Sequence, residues 1–463
     1  MLFIIIACSL YFLQACSKAT FENAKPNASL VIPTTLSDMQ ALLDNDNVMN
    51  GYGSGGVVPS VGDISATDYR MTGQFFTTSL TPLYQKYYTW ATDLYNGEEI
   101  QDWDAPYQAI FYANSALDGL AKIQQTANNQ TEYNNVKGSA LFYRGHMFYQ
   151  LAQIYAPVYD SSTAATSWGI PLQLTSSVTS GVSRATLEAT YQQILSDLNL
   201  ALPLLPSTPL YDRRPSKGSV YGLLARIYMN LGNYQSALNY ADSCLALNNR
   251  LLDFNTIPSG NPFPFAGGKF NNEVIFRCYM VKFGMNMPIS VGFAAPDSAL
   301  YASYDSTDWR ASIWYYVAGG GTIYPIGGYP DGNSFFAGIA TDEIYLIRAE
   351  CYARMGSLQN SLNDLNALLA TRYKTGTYTP YTSASQLDIL TKILLERRKE
   401  LLYRGVRWTD LIRLNKRDPQ FAVTLTRTVN GTTYTLPPND PRYLFPVPDN
   451  VIKLNPGMPQ NPR

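Results

Sequence analysis

Five cysteines and a single histidine bound the chemistry open to this chain of 463 residues. His146 lies in Leu141-Phe142-Tyr143-Arg144-Gly145-His146-Met147-Phe148-Tyr149, the setting of a packed helix. An imidazole there reads as a helix-face side chain rather than a member of a catalytic triad. Cys244, Cys278 and Cys351 allow at most one disulfide, and they are too far apart for zinc-ligand spacing. Two acidic pairs, Asp63 with Asp68 and Asp102 with Asp104, could be proposed as the carboxylates that flank a scissile glycosidic bond. Acids in loops are common and usually solvated, so a hydrolase ranks behind a binding protein. The sequence holds no G-x-S-x-G, Walker loop or H-E-x-x-H. Scattered loop carboxylates could hold structural calcium but lack EF-hand spacing, so no metal and no cofactor is expected.

The other two cysteines carry a different chemistry. Leu2 to Leu13 form an uncharged apolar run, followed by Leu13-Gln14-Ala15-Cys16 and then polar sequence. The run is too short to span a bilayer and reads as a signal peptide over 1–15. A small residue before cysteine is the arrangement that bacterial lipoprotein processing uses, so Cys16 is expected to be acylated and to tether a body that lies outside the cytoplasm. No Lys or Arg precedes the run, and a secreted protein that happens to carry Cys16 is the alternative.

Composition narrows the role of that body. Formal net charge is −1, so there is no basic excess to draw nucleic acid or an anionic membrane surface, and contact with the membrane is expected through the lipid alone. Charged residues are 15% of the chain, below the roughly 25% of ordinary soluble proteins, while aromatics reach 13% with 35 tyrosines. A tyrosine has a flat apolar face and a polar tip, which suits both helix seams and stacking on sugar rings.

The elements that must position these residues are helical. Periodicity predicts helices over 136–156 and 186–202, the latter capped by Thr186, with Glu188 in its first turn. Helix pairs are predicted over 216–248, around Gly232-Asn233-Tyr234, and over 341–372, around Gly356-Ser357-Leu358. Both pairs resemble tetratricopeptide units, which cannot bury their faces alone. They are not tandem. Segment 249–340 separates them, rich in Gly, Pro, Asn and aromatics, and segment 44–107 looks similar. Long insertions on a helical scaffold are where binding function usually sits, and the two are expected to meet in space.

The most specific motif is C-terminal. It reads Glu396-Arg397-Arg398-Lys399-Glu400-Leu401-Leu402-Tyr403-Arg404-Gly405-Val406-Arg407-Trp408-Thr409-Asp410-Leu411-Ile412-Arg413. Here the chain resembles the SusD/RagB family of outer-membrane nutrient-binding lipoproteins of Bacteroidetes, in E-R-R-x-E-L followed by G-x-R-W-x-D-L-x-R. Tyr403-Arg404 stands where the family more often has Phe-Glu. Trp103, Tyr107, Ala113 and Asn114 fit the family's early helix, and Gly169-Ile170-Pro171-Leu172, Arg184-Ala185-Thr186 and Lys217-Gly218 fit the segments that follow. Phe445-Pro446-Val447-Pro448, Asn455-Pro456 and Gln460-Asn461-Pro462 fit its tail. Glu396 and Glu400 lie one turn apart on a helix, with Arg397 and Arg398 able to pair across to neighbouring helices. The motif therefore reads as scaffold rather than as ligand site.

The resemblance implies a mostly α fold with discontinuous tetratricopeptide-like pairs and long irregular insertions. It implies one SusD-like domain over 16–463, with an N-terminal part to about 210 and a C-terminal SusD/RagB part from about 211. It also implies a non-enzymatic subunit on the outer face of the outer membrane, which captures a glycan and passes it to a SusC-like TonB-dependent transporter. RagB-like capture of peptides or other small nutrients on the same scaffold is the alternative. Family ligand aromatics come from the early loop and from the insertion before the second pair. The candidates that the resemblance implies here are Trp90 and Tyr95, then Tyr304, Trp309, Trp314, Tyr315 and Tyr316, with Asp68 and Arg70 as candidate polar partners.

Overall fold

The computed structural model describes residues 33–53, 55–177, 182–257, 264–265, 271–282, 294–331 and 334–463. The apolar run and Cys16 lie outside the described residues. Among the described residues the chain forms seventeen α-helices and ten short strands. The longer helices are α1 (Leu36–Leu43), α2 (Gln101–Leu120), α3 (Gln130–Tyr155), α4 (Leu187–Ala201) and α5 (Lys217–Leu231). They continue with α6 (Tyr234–Leu247), α7 (Thr341–Arg354), α8 (Leu358–Ala370), α9 (Gln386–Glu400) and α10 (Arg407–Arg417).

The helix ends follow from local chemistry. The Thr186 side chain accepts from Ala189 N at 3.1 Å and starts α4. Ser216 and Ser219 form a reciprocal capping box at the start of α5. Gly232 ends that helix at φ 78, a left-handed conformation glycine adopts without a Cβ penalty. Helix α3 begins at Gln130, six residues before the apolar periodicity does at Val136. Its first turns are Gln130-Thr131-Glu132-Tyr133-Asn134-Asn135, mostly polar and solvated, so they carry no buried stripe to read.

Packing joins the helices into one scaffold. Helices α2, α3 and α4 pack in succession, and α5 packs on α6. Helix α6 then packs on α7, and α7 on both α8 and α9. The two tetratricopeptide-like pairs, distant in sequence, are therefore neighbours in space and bury each other's faces. Gly222 permits the close approach of α5: a Cβ there would lie 2.5 Å from Ile339 Cγ2 and 3.5 Å from Cys244 Sγ. Leu223, Leu224 and Ile227 of the same helix are fully buried, each contributing about 1.5–3 kcal/mol of transfer free energy.

The strands pair two by two, all antiparallel. They are β1 (Tyr69–Met71), β2 (Trp168–Pro171), β3 (Arg184–Thr186), β4 (Val274–Phe276) and β5 (Ala294–Pro296). The rest are β6 (Tyr315–Val317), β7 (Ile323–Pro325), β8 (Ile339–Ala340), β9 (Leu425–Val429) and β10 (Thr432–Leu436). The segment 44–107 is not structureless: short helices occupy Asp46–Met49, Val61–Ser65, Gly73–Ser79 and Pro82–Tyr88 before α2 begins. Each spans two turns or fewer, too short to set up a readable period.

The C-terminal motif forms a buried lattice of ion pairs. Arg226 of α5 holds Glu343 of α7 at 2.6 and 2.8 Å, and Arg397 of α9 reaches Glu343 at 3.7 Å and Asp410 of α10 at 2.8 Å. Arg413 then links Asp410 at 2.8 Å to Glu350 of α7 at 2.6 Å. Burial alone would raise the Glu350 carboxyl, but Arg413 and Arg354 outweigh it and hold the group at about 2. Two more arginines bring the second insertion in. Arg310 contacts Asp308, Glu396 and Glu400 at 2.7, 2.6 and 3.0 Å, and Arg372 contacts Glu400 at 2.8 Å and Glu273 at 3.0 Å. Such pairs repay their desolvation only with good geometry, but removal of one partner strands a buried charge. They key the helices and the insertions into one register.

Candidate functional site

The two insertions meet, as their loop-like composition led us to expect. Strand β1 from the first pairs with β5 from the second in the register Tyr69↔Pro296, Arg70↔Ala295, Met71↔Ala294. Nearby, Val57 N and Val58 N donate to Tyr279 O at 2.9 and 3.1 Å, and Val281 N donates to Val58 O at 2.7 Å. Gly56 makes this approach possible, because its φ is 83° and a Cβ there would overlap the Met280 carbonyl. At the outer edge of this seam the rings of Tyr52 and Tyr279 lie 5.9 Å apart, with the Arg213 guanidinium 4.9 Å from the Tyr52 centroid.

The seam continues into a hairpin. Strand β7 packs beside β5 and pairs with β6 through Tyr315↔Pro325, Tyr316↔Tyr324 and Val317↔Ile323. The turn over Gly319-Gly320-Gly321 is closed by Ala318 N donating to Thr322 O at 2.8 Å. Alternation along β6 then decides which tyrosine faces water. Tyr315 points inward against Tyr301 and Tyr304, with centroids 5.0 and 5.6 Å away, whereas Tyr316 is 36% exposed. Arg70, in the middle of β1, is also exposed and has no ion pair among the described residues.

The other expected ligand residues sit elsewhere. Trp90 is 1% exposed, donates Nε1–H to Ser65 O at 2.9 Å and lies under Arg427, 5.0 Å from its ring centre. Tyr95 is buried close to Tyr87, Tyr155 and Asp102. Tyr304 is buried and donates its hydroxyl to Lys399 O at 2.9 Å. Trp314 is completely buried against Phe254 and Tyr329. Trp309 is half-buried, its Nε1–H donated to Asn255 Oδ1 at 2.7 Å and its ring beside Lys374, away from the β1–β5 seam. Asp68 is buried and spends its carboxylate on Arg398 at 2.7 Å, which ties the seam to α9. In this conformation Asp68, Trp90, Tyr95, Tyr304, Trp314 and Tyr315 are therefore packing and positioning residues. Arg70, Trp309 and Tyr316 remain open to a ligand. Tyr52 and Tyr324 lie with Arg70 and Tyr316 at the seam; the sequence signal for Tyr324 is the Ile323-Tyr324-Pro325 mirror of Tyr315-Tyr316-Val317 about the three glycines.

Of the acidic pairs, Asp63, Asp68 and Asp102 are built into the interior, while Asp104 is half-buried. Asp102 Oδ1 accepts from Ser60 N at 2.6 Å and Val61 N at 3.1 Å, so the start of α2 caps the Val61–Ser65 helix. Asp63 accepts from Gly405 N at 2.9 Å. Burial pushes both carboxyls up to about 7. His146 packs between Phe142 and Phe276, and burial followed by repulsion from Arg226 pushes it down to about 3, so it stays neutral at physiological pH. Among the described residues no group of three or more His, Cys, Asp or Glu side chains could hold a metal ion, and no helix is long and apolar enough to cross a membrane.

In this architecture two helix pairs carry two insertions that meet at an aromatic seam. Residues 21–229 match a SusD-like family model described as starch-binding and associating with the outer membrane, and residues 341–463 match the SusD family model. The chain belongs to the SusD/RagB family. It is 23% identical over 431 residues to SusD-like protein P2 of Formosa agariphila, covering 79% of this chain and 81% of that one. A SusD superfamily protein from Bacteroides thetaiotaomicron shares the fold at a TM-score of 0.73 and 22% identity, over 93% of this chain and 100% of its own. A SusD-like carbohydrate binding protein from Bacteroides vulgatus shares it at 0.69 and 21%, over 92% and 98%.

Proposed function

We propose that this chain is a lipid-anchored protein of the outer membrane, facing the cell exterior, that captures an oligosaccharide at the β1–β5–β7 seam without cleaving it. It then passes the ligand to a SusC-like TonB-dependent transporter. The observation that carries this reading is the exposed Tyr316 on a hairpin packed against the strand pair that bears Arg70, which is exposed and has no ion pair among the described residues. An exposed ring supplies the apolar face on which a pyranose stacks, and an exposed guanidinium supplies hydrogen bonds to hydroxyls. The family model's own description, starch-binding and associating with the outer membrane, supports the ligand class and the location. The buried placement of Asp63, Asp68 and Asp102 supports capture without hydrolysis, since a glycosidase needs two carboxylates flanking a bound sugar.

The test is retention of the soluble body, from Ser17, on a panel of immobilised polysaccharides and peptides, with chromatography of the released material. Retention by one glycan class with no shortened products supports the proposal. Binding only to peptides moves the chain to RagB-like capture, and appearance of cleaved oligosaccharide overturns the non-enzymatic reading. Protease added to intact cells should remove the body; protection would contradict the exterior face.

A further inference from the structure

A hollow of about 340 Å³ lies between the loop at 207–212 and the C-terminal end of α6. Its floor is Ser216, Gly218, Val274 and Ile275, its apolar walls are Leu210, Tyr211 and Leu247, and Asn248, Arg250 and Asn272 line it with polar groups. Leu210, Tyr211 and Leu247 are large apolar side chains exposed to solvent. The Tyr211 ring carries the Arg214 guanidinium 5.0 Å from its centroid, and Arg214 is itself held by Asp44, with Nε 2.8 Å from Oδ1.

Charge in the lining is unbalanced. Asp212 is neutralised by Arg277 at 2.7 Å, whereas Arg250 has no acidic partner among the described residues. The backbone that carries Arg250 is fixed. Its N–H donates to Asn248 Oδ1 at 3.2 Å, Asn248 Nδ2 donates to Asn272 O at 3.0 Å, and Tyr345 donates its hydroxyl to Asn249 O at 3.2 Å. The Asn272 side chain is exposed and makes no hydrogen bond among the described residues. A planar guanidinium fork matches a carboxylate or a sulfate group with two hydrogen bonds. A tyrosine ring with leucines beside it matches the apolar face of a sugar, and the volume falls within the roughly 300–1,000 Å³ of small-molecule sites.

We propose that this hollow is a second saccharide site, selective for a sugar that bears an anionic substituent, with Arg250 holding the anion and Tyr211 stacking on the ring. The proposal rests on the reading of the chain as a saccharide binder and adds a subsite with its own charge preference.

The experiment titrates methyl glucuronide, methyl glucoside 6-sulfate and methyl glucoside into the soluble body at low salt, followed by ligand-observed NMR. Wild type, Arg250→Gln, Tyr211→Ala and Tyr316→Ala are compared. At least one anionic sugar should bind roughly tenfold tighter than methyl glucoside, the ratio that about 1.4 kcal/mol from one charge-assisted pair gives. The stronger of the two anionic probes identifies carboxylate or sulfate ester as the group recognised. Arg250→Gln should erase the preference, Tyr211→Ala should weaken every sugar, Tyr316→Ala should leave the preference intact, and added salt should reduce it. A preference that survives Arg250→Gln, or equal competition by inorganic sulfate and acetate, overturns the proposal. Polysaccharide retention through Tyr316 with no anionic preference also overturns it and leaves the seam reading standing. A preference dependent on Arg250 in a protein that retains no polysaccharide supports the hollow and sinks the seam reading.

Discussion

Replacing Arg310 with methionine should destabilise the chain by taking one cation away from three buried carboxylates. Arg310 is completely buried and contacts Asp308, Glu396 and Glu400 at 3.0 Å or less. After the substitution, Asp308 and Glu396 keep Lys399 at 3.0 and 3.3 Å, Glu396 keeps Lys392 at 2.8 Å, and Glu400 keeps Arg372 at 2.8 Å. Breaking a buried pair costs about 3–5 kcal/mol, and the three contacts form one network, so their losses do not add. An unfolding entropy near 2.1 cal/mol/K per residue gives this 463-residue chain roughly 1 kcal/mol per degree, so Tm should fall by about 3–5 °C. Acidity separates the charge effect from lost packing. Burial would raise Glu396, but Arg310, then Lys399 and Lys392, outweigh it and hold the carboxyl at about 2, below its usual 4.5. In the native protein this contribution is present above pH 4.5 and is lost as pH falls through about 2. Without Arg310 only Lys399 and Lys392 offset burial, so the carboxyl rises, and the penalty is largest at neutral pH and shrinks as protons return. Calorimetric melts of wild type and Arg310→Met at pH 7.5 and pH 4.5 read this directly. A Tm difference equal at both pH values would show a packing defect and refute the electrostatic reasoning, as would no difference at all.

Asp102 makes the opposite pH prediction. Burial raises it from 3.8 to about 7, so its contribution is complete below pH 3.8 and is lost as pH rises through 7; Asp102→Asn should gain stability relative to wild type between pH 4 and pH 8 in denaturant titrations, and a constant offset would contradict the assignment. Cys244, Cys278 and Cys351 are buried, and burial pushes the thiols of Cys244 and Cys278 up to about 12. A thiol reagent should therefore find no fast-reacting group in the native soluble body and three after unfolding in guanidinium; rapid native labelling would contradict their placement.

Parts of this fold were legible because short-range chemistry fixed them. Thr186, Gly232 and Gly356 mark helix boundaries through capping and left-handed turns, and all three stand where the sequence put them. The Glu396–Arg413 motif could be read as scaffold from its spacing: Arg397 and Arg413 do pair across helices, whereas Arg398 pairs with Asp68 in the loop before β1. The docking of α6 on α7 was not legible, because the residues between Leu247 and Thr341 carry no periodic signal of which faces will meet. The aromatics were hardest. A tryptophan that packs in a core and one that stacks on a sugar are the same residue in the same kind of loop, and only long-range contacts distinguish them. Trp90 and Trp314 are covered by Arg427 and by Phe254 with Tyr329, partners distant in sequence. Tyr315 and Tyr316 differ only through strand alternation, which a three-residue strand states too briefly to weigh without its partner β7.

The measurement that tests the central claim most directly is calorimetric titration of the soluble body with the glycan that the panel retains, repeated with Tyr316→Ala and Trp90→Ala and paired with a melt of each. Loss of stacking on one exposed ring should weaken binding by about 1–2 kcal/mol, roughly 5- to 30-fold, in Tyr316→Ala while leaving Tm unchanged. Trp90→Ala should instead lose about 3–5 kcal/mol of stability, with binding retained at temperatures where it stays folded. Undiminished affinity in Tyr316→Ala would contradict the account and move the ligand away from the seam.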